Sequence, residues 1–455
     1  MKKTKENIEK LKRESLEAVH THTHTHTHTH TSSFSETIKY FRKRKKSIIN
    51  ESSKKQLPLK KRGQAAITLV ALVVTIVVLI LLAGVSINLV IGNNGIMQKA
   101  VKGREDYVGV AINEQLDLNK IEDYIEDNTG NVVQIESVKG GRYFETPTTV
   151  KDTNGNFIRV PQGFKIAQDS GLNVTEGIVI EDNDIIEGVG NNRGNQYVWI
   201  PVGNGIKKSD ETTVNITLGR YTFNSNGTPE LKQDAANYEQ EVKINSCYKE
   251  LSMARIGTVD SNNHLNDTNT TALDLEEFIE SAKVNGGYYI ARYEASWGID
   301  KKANSKVSNS YAVDSKIEKE GQLWNRITQI DAATASRNLY STVKSDLTNS
   351  YAWDTAIVYI QNFSGDADYS RQTSLNTSLA NTGTNNDERC KINDMSSNLR
   401  EWNTEFSTIV SDSFALAYGN RGGDCLSSTY YVGDRGSVRA MVYGNNISFR
   451  TIVYM

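Results

Sequence analysis

Hydrophobic and polar positions divide this 455-residue chain into segments of different character. Residues 1–62 are polar and carry none of the periodicity of a packed element. An uncharged apolar run, "AAITLVALVVTIVVLILLAGVSINLVIG", fills residues 65–92 and exceeds the ~20 residues that carry a helix across a bilayer. In "REDYVGVAINEQLDLNKIEDYIED", Val108, Ile112, Leu116, Leu118, Ile121 and Ile125 recur at helical spacings, so an amphipathic helix is expected to extend the apolar one to about residue 127. Residues 128–146, with Gly and Thr punctuation, read as a linker.

From residue 147 onward the pattern changes to short runs. "TVKDTNGNFIRVP" holds Asn154-Gly155 between β-branched flanks and predicts a hairpin with a type I′ turn. Asp152, Asn154 and Asn156 also imitate the start of a calcium loop, but the twelfth position is Gly163 where a bidentate Glu is needed, so the turn is preferred. "GNQYVWIPVG" and "GGYYIARYEASWG" predict strands, with a helix in "ALDLEEFIESAK" between them and a short buried helix in "WDTAIVYIQNF". Mixed elements joined by Asn-, Gly-, Ser- and Thr-rich loops predict an irregular α+β domain over residues 147–455.

Charge adds orientation. The net charge of -2 removes any global case for nucleic-acid binding. Lys54, Lys55, Lys60, Lys61 and Arg62 precede the apolar run while Glu105 and Asp106 follow it, which places the C-terminal part outside a single-pass membrane anchor. A cleavable secretory signal would have a shorter apolar region ending in a small-residue site. The leader also holds "HTHTHTHTHTHT", whose alternation would align imidazoles for zinc or nickel if extended. A CA dinucleotide tract encodes the same alternation, and that origin is preferred.

Candidate chemistry is sparse. Cys247, Cys390 and Cys425 form no CxxC pair, so neither a disulfide framework nor a zinc cluster is indicated. Outside the repeat the only histidine is His264, in a polar loop, which leaves nucleophilic triads without a base. Phosphate-loop, dinucleotide and HExxH motifs are absent. Glu401 and Glu405 would share a helix face at i, i+4, where such pairs are usually solvated or capping groups.

The segment "RGQAAITLVALVVTIVVLILLAG" resembles the N-terminus of type IV pilin-like proteins. That resemblance implies a leader removed by a prepilin peptidase before a short apolar residue, Thr and Leu, here Ile67, Thr68 and Leu69. Gly63 stands three residues early and Ala66 occupies the pre-cleavage position, so the two are alternative cleavage sites. Ala71 replaces the glutamate that such proteins use in assembly, which favours anchoring over polymerisation.

A second resemblance covers roughly residues 147–455. "YVWIPVG", "GGYYIARYEAS", the Trp353 helix, "INDMSSNLREWNTE" and the flanks "RGG" and "SFR" are similar to the formylglycine-generating enzyme family, or sulfatase-modifying factors, which has a C-type-lectin-like fold. Asp394, Met395, Asn398, Glu401 and Trp402 fit the family's fourth motif, whereas Ser397 replaces a Gly and Arg400 a Trp. Gly422 and Gly423 suit special backbone shapes, Trp402 and Phe449 suit burial, and Arg421 and Arg450 suit loop-tying hydrogen bonds; Arg435, a side chain of the kind that gives bidentate contact, is grouped with them. These residues read as scaffold.

Enzymatic members bind copper through two cysteines whose positions fall here at Ser427 and Val432, so the resemblance implies a noncatalytic chain. Cys425 reads as an ordinary small loop side chain. Lectin-like domains with these flanks also resemble variable proteins diversified by retroelements that mutate template adenines. Residues 424–446 contain no Lys, Glu, Gln or Trp, as adenine mutagenesis of Asn codons requires; Met441 departs from the pattern.

The ligand-binding candidates are Asp424, Cys425, Ser427, Ser428, Tyr430, Tyr431, Asp434, Arg439, Met441 and Tyr443. The expected protein is a membrane-anchored, surface-displayed binder of an extracellular protein or glycan. Binding requires no cofactor, with calcium as a structural ion of relatives and no nucleic-acid partner. A minor type IV pilus subunit and a copper oxidase of the formylglycine-generating type are the alternatives.

Overall fold

The computed structural model describes residues 132–182, 194–238, 240, 242–245, 247–250, 272–298, 300–312, 319–407, 417–427, 429–438 and 445–455, with scattered positions of a helix between 103 and 121. The leader with its His-Thr repeat, Gly63, Ala66, the apolar run 65–92 and His264 lie outside the described residues. Among the described residues no helix is long and apolar enough to cross a membrane. The described positions of the 103–121 helix expose Tyr107, Val110, Leu118 and Ile121, and Asn119 Nδ2 donates to the Val284 carbonyl at 2.9 Å.

The domain is α+β and dominated by strands. Its main sheet orders Lys344–Leu347, Thr451–Tyr454, Gly287–Ala291, Gln196–Pro201, Val179–Asp182 and Phe164–Ile166, every neighbouring pair antiparallel. The run Tyr197 to Pro201 is buried throughout, the pattern of a strand covered on both faces. Gly287 is dictated by its neighbour, because a Cβ there would stand 2.5 Å from the Trp199 ring. Helix α1 (Leu275–Val284) starts at Asp274, whose carboxylate caps the Glu277 amide at 3.0 Å. It lays Phe278 edge-on against Tyr288 and Tyr454, with ring centroids 5.2 and 5.4 Å apart.

Helix α2 (Ser350–Phe363) begins three residues before the Trp353 of the sequence motif, because Asn349 caps the Ala352 amide at 2.9 Å. Every residue of α2 except Asn362 is buried, so it forms the centre of the domain and not a surface cover.

Two local expectations need correction. The hairpin is present, pairing Thr148–Lys151 with Phe157–Val160, but residues 152–156 form its loop and the turn is not the two-residue I′ type. Asp152 sets that geometry: one carboxylate oxygen accepts the Asn154 and Asn156 amides at 2.9 and 2.7 Å, the other the Val174 amide at 3.0 Å. The expected linker is partly structural, since Val133–Gln134 pairs in parallel with Val150–Lys151 and Ile135 is buried in the core.

A second sheet carries the candidate site. It comprises β1 (Tyr248–Lys249), β2 (Arg400–Ser407), β3 (Ala417–Arg421), β4 (Arg435–Val438) and β5 (Ile447–Phe449). β2 is central: it pairs antiparallel with β1 and β3 and parallel with β5. Arg450 lies between β5 and the Thr451–Tyr454 strand of the main sheet, so the chain passes from one sheet to the other at that residue.

Candidate functional site

The frame of the site is a set of buried ion pairs. Arg421 and Arg435 face each other in the β3–β4 register and contact the same two carboxylates, Asp354 of α2 and Glu405 of β2. Arg435 Nε meets Glu405 at 2.9 Å and its Nη1 donates to the Tyr221 carbonyl at 2.8 Å. Arg220 completes the cluster, bonding Glu405, Ser350 Oγ at 3.0 Å and the Val242 carbonyl at 2.8 Å. Burial alone would raise the Glu405 carboxyl; the charges of Arg435, Arg220 and Arg421 outweigh it and hold the group at about 2.

Arg450 joins the two sheets. Its guanidinium forms a two-pronged pair with Glu401, with Nε to Oε2 at 2.6 Å, and donates to the Ala291 and Asn393 carbonyls at 3.1 and 2.9 Å. Glu401 and Glu405 therefore lie on a strand, not a helix, and neither is solvated: both are buried against arginine. The expectation from i, i+4 spacing fails because β2 is a strand buried on both of its faces, so a carboxylate at either position must turn into the protein and find a cation there.

The glycine pair has a specific role. Gly422 has φ of +86°, and a Cβ at Gly423 would fall 1.8 Å from the Ser396 carbonyl oxygen. The 394–398 turn that presses on these glycines holds Asp394 and Asn398 at φ of 63° and 62°, a conformation Asp and Asn tolerate best. Asp394 accepts Thr382 Oγ1 at 2.9 Å and the Gly383 amide at 2.6 Å, while Asn398 Oδ1 accepts the Ala380 amide at 3.0 Å. Trp402 donates its indole N–H to the Ile327 carbonyl at 2.9 Å and shares a buried cluster with Phe449, whose ring meets Trp324 at 5.4 Å.

On this frame sits the 424–434 loop. Its first end is tied: Asp424 accepts Asn446 Nδ2 at 2.7 Å and the Leu426 amide at 2.9 Å, and the Cys425 amide donates to the Asn398 carbonyl at 2.9 Å. Its other end is anchored by Val432, fully buried, whose carbonyl accepts the Trp353 indole N–H at 3.2 Å, and by the Gly433 amide, which donates to the Ser370 carbonyl at 2.9 Å. Between these anchors Leu426 is 63 % exposed and Tyr430 37 % exposed. Tyr430 lies over the Arg400 guanidinium at 4.1 Å, and Tyr431 lies beneath that of Arg371 at 3.6 Å. Asp434 accepts the Tyr431 amide at 3.0 Å and stands 3.9 Å from Arg371.

The candidate contact residues thus divide. Ser427, Tyr430, Tyr431 and Asp434 share the outer side of the loop. Asp424 and Cys425 are 2 % and 5 % exposed, so they support the loop from below and offer no contact area. Ser428, Arg439, Met441 and Tyr443 lie outside the described residues. Leu426, Arg371 and Arg400 were missed by sequence reasoning. A lone Leu among polar residues and two distant arginines give no signal until the fold assembles them.

Copper does not fit here. Of the positions that would supply thiolates, Ser427 is a hydroxyl and Val432 is an apolar core residue. Burial, with Asp424 and Glu294 nearby, pushes the Cys425 thiol up to about 12, away from the thiolate a soft metal needs. Among the described residues no group of three or more His, Cys, Asp or Glu side chains gathers to hold a metal ion. The Asp394 and Asp387 carboxylates are occupied by protein donors, Asp387 by the Ser396 amide and hydroxyl at 2.8 Å each. No protein-family model, curated protein or solved structure matches the chain.

Proposed function

We propose that this chain is a noncatalytic binding protein, displayed outside the cell on a pilin-like membrane anchor, whose lectin-like C-terminal domain presents the 424–434 loop to an extracellular protein or glycan. One observation carries this reading: exposed Leu426 and Tyr430 sit on a loop held at one end by Asp424 and Cys425 and at the other by Val432 and Gly433. Apolar and aromatic side chains held rigidly lose little entropy on binding, which is the economy of a contact surface. Cys425 is buried and its thiol is held protonated, which supports the noncatalytic part.

Detergent-solubilised full-length protein applied to glycan and surface-protein arrays tests this. Binding is expected, and Leu426→Ser with Tyr430→Ala should weaken it at least tenfold while the melting temperature stays within a few degrees. Binding that ignores both substitutions, or no binding at all, would overturn the proposal. The diversification component is tested in the neighbouring DNA. It requires a near-copy of the last codons differing mainly at adenines, beside a reverse transcriptase.

A minor pilus subunit is the second reading, favoured by the exposed apolar side chains of Tyr107, Val110, Leu118 and Ile121 on the helix that follows the apolar run. Cell fractionation decides between them. Recovery of processed protein in sheared filaments supports the subunit, and unprocessed protein confined to membranes supports the anchored binder.

A further inference from the structure

Four arginines in and around the second sheet, Arg220, Arg421, Arg435 and Arg450, are buried against carboxylates. A fifth, Arg400, is not. It is 6 % exposed, yet its Nε and Nη2 have no hydrogen-bond partner. Its guanidinium lies against the Tyr430 ring, a contact weaker than the cost of burying an ion. The nearby carboxylates are engaged elsewhere: Asp424 with Leu426 and Asn446, Asp434 with the Tyr431 amide.

Asn420 repeats the anomaly on the adjacent strand, where both its Nδ2 and its Oδ1 are buried without partners. The two side chains converge. A Cβ on Gly436 would fall 1.9 Å from Arg400 Nη2 and 2.5 Å from Asn420 Oδ1, so glycine at this position is what leaves them room. Register explains the convergence: Trp402, Asn420 and Gly436 pair across β2, β3 and β4, and Arg400, two residues before Trp402, shares their face.

We propose that Arg400 and Asn420 form an oxyanion subsite beneath Tyr430, and that the ligand of this surface places a carboxylate, sulfate or phosphate group there. The proposal rests on the contact-surface reading above and adds the chemical class of the ligand. A guanidinium fork is a donor set matched to paired oxygens, and it gains most where water is already excluded; Asn420 presents Oδ1 on this side, and because neither of its amide atoms has a partner, turning the amide over to offer Nδ2 costs no hydrogen bond. Tyr430, itself 37 % exposed, lies over the guanidinium at 4.1 Å, and an anion would reach the unpartnered Nε and Nη2 by displacing that ring. An arginine kept only for packing would be replaced without loss by an apolar side chain of similar volume.

The test uses full-length protein in detergent, melted in sodium sulfate, sodium phosphate or sodium acetate against sodium chloride at equal ionic strength. At least one oxyanion should raise the melting temperature saturably in wild type. Arg400→Met should remove that component, leaving only the general stabilisation that sulfate gives any protein, while melting in chloride at or above the wild-type temperature. Arg400→Lys, which keeps charge but loses the fork, should bind the effective anion at least about fivefold more weakly. The acetate arm separates carboxylate ligands from sulfate or phosphate esters. An anion response equal in wild type and Arg400→Met would overturn the subsite, as would no response in wild type or an Arg400→Met that melts well below wild type in chloride. A null titration with positive array binding removes the subsite alone; a positive titration with null arrays removes the contact-surface reading and keeps the subsite.

Discussion

Arg421 and Arg435 stand opposite each other on neighbouring strands and divide the same two buried carboxylates, Asp354 and Glu405. One arginine belongs to the RGG motif and the other lies within the 424–446 stretch, so that stretch is not uniformly surface. Arg435 returns the chain to the core between the outer loop and the residues leading to β5.

Removing one shared carboxylate should therefore be severe. Asp354→Ala leaves the guanidinium groups of Arg421 and Arg435 to share Glu405 with Arg220, and the expected cost is about 3–5 kcal/mol in urea unfolding. A cost below 1 kcal/mol would show that water reaches the cluster.

Gly423→Ala should destabilise the domain by about 1–3 kcal/mol or more, because the added Cβ meets a backbone carbonyl at 1.8 Å that cannot rotate away. Gly365→Ala is the control: its positive φ of +84° strains a side chain, but nothing lies within 4 Å of the added atom. Thermal melts of the two variants should therefore differ by several degrees.

Thiol reactivity should be low in the folded protein and high after unfolding. Burial pushes the Cys390 and Cys425 thiols up to about 12, and Cys247 is buried as well. At pH 8 a disulfide reagent should modify all three at least about a hundredfold more slowly than in denaturant. A fast-reacting Cys425 in native protein would reopen the case for chemistry at this loop.

Glu250 gives a pH signature. Its carboxylate accepts the Ser350 amide at 2.9 Å and the Thr404 hydroxyl at 2.6 Å, and burial together with the Glu405 charge pushes its carboxyl from 4.5 up to about 7. The folded state then holds the proton more tightly than the unfolded chain. The associated stability is fully present below pH 4.5 and is lost as pH rises through about 7. Its ceiling is about 3 kcal/mol at 1.36 kcal/mol per unit. Glu250→Gln should flatten the stability profile across that window, measured by urea unfolding at fixed ionic strength; an unchanged slope would assign it to another group.

Much of the fold was legible because it depends on neighbours in sequence. The Tyr197 to Pro201 run, α1 and α2 were visible from apolar patterning, since burial selects side chains residue by residue. The hairpin turn was misjudged because the Asn-Gly signal competes with Asp152, whose carboxylate collects amides from its own loop and from Val174. Glu401 and Glu405 were misjudged because residues at i, i+4 share a face in a helix and in a strand alike, and only pairing with β3 distinguishes the two.

By itself the sequence determined the α+β class, the Tyr197 to Pro201 strand with α1 and α2, and the scaffold character of Arg421, Gly422, Gly423, Trp402, Phe449 and Arg450. These follow from side-chain chemistry and local periodicity. Tertiary structure alone decided which members of the loop face outward, that Asp424 and Cys425 lie beneath it, and that Arg400 is buried without a carboxylate. Those outcomes depend on strand register between segments distant in sequence, and register places a charge beside its partner or leaves it without one.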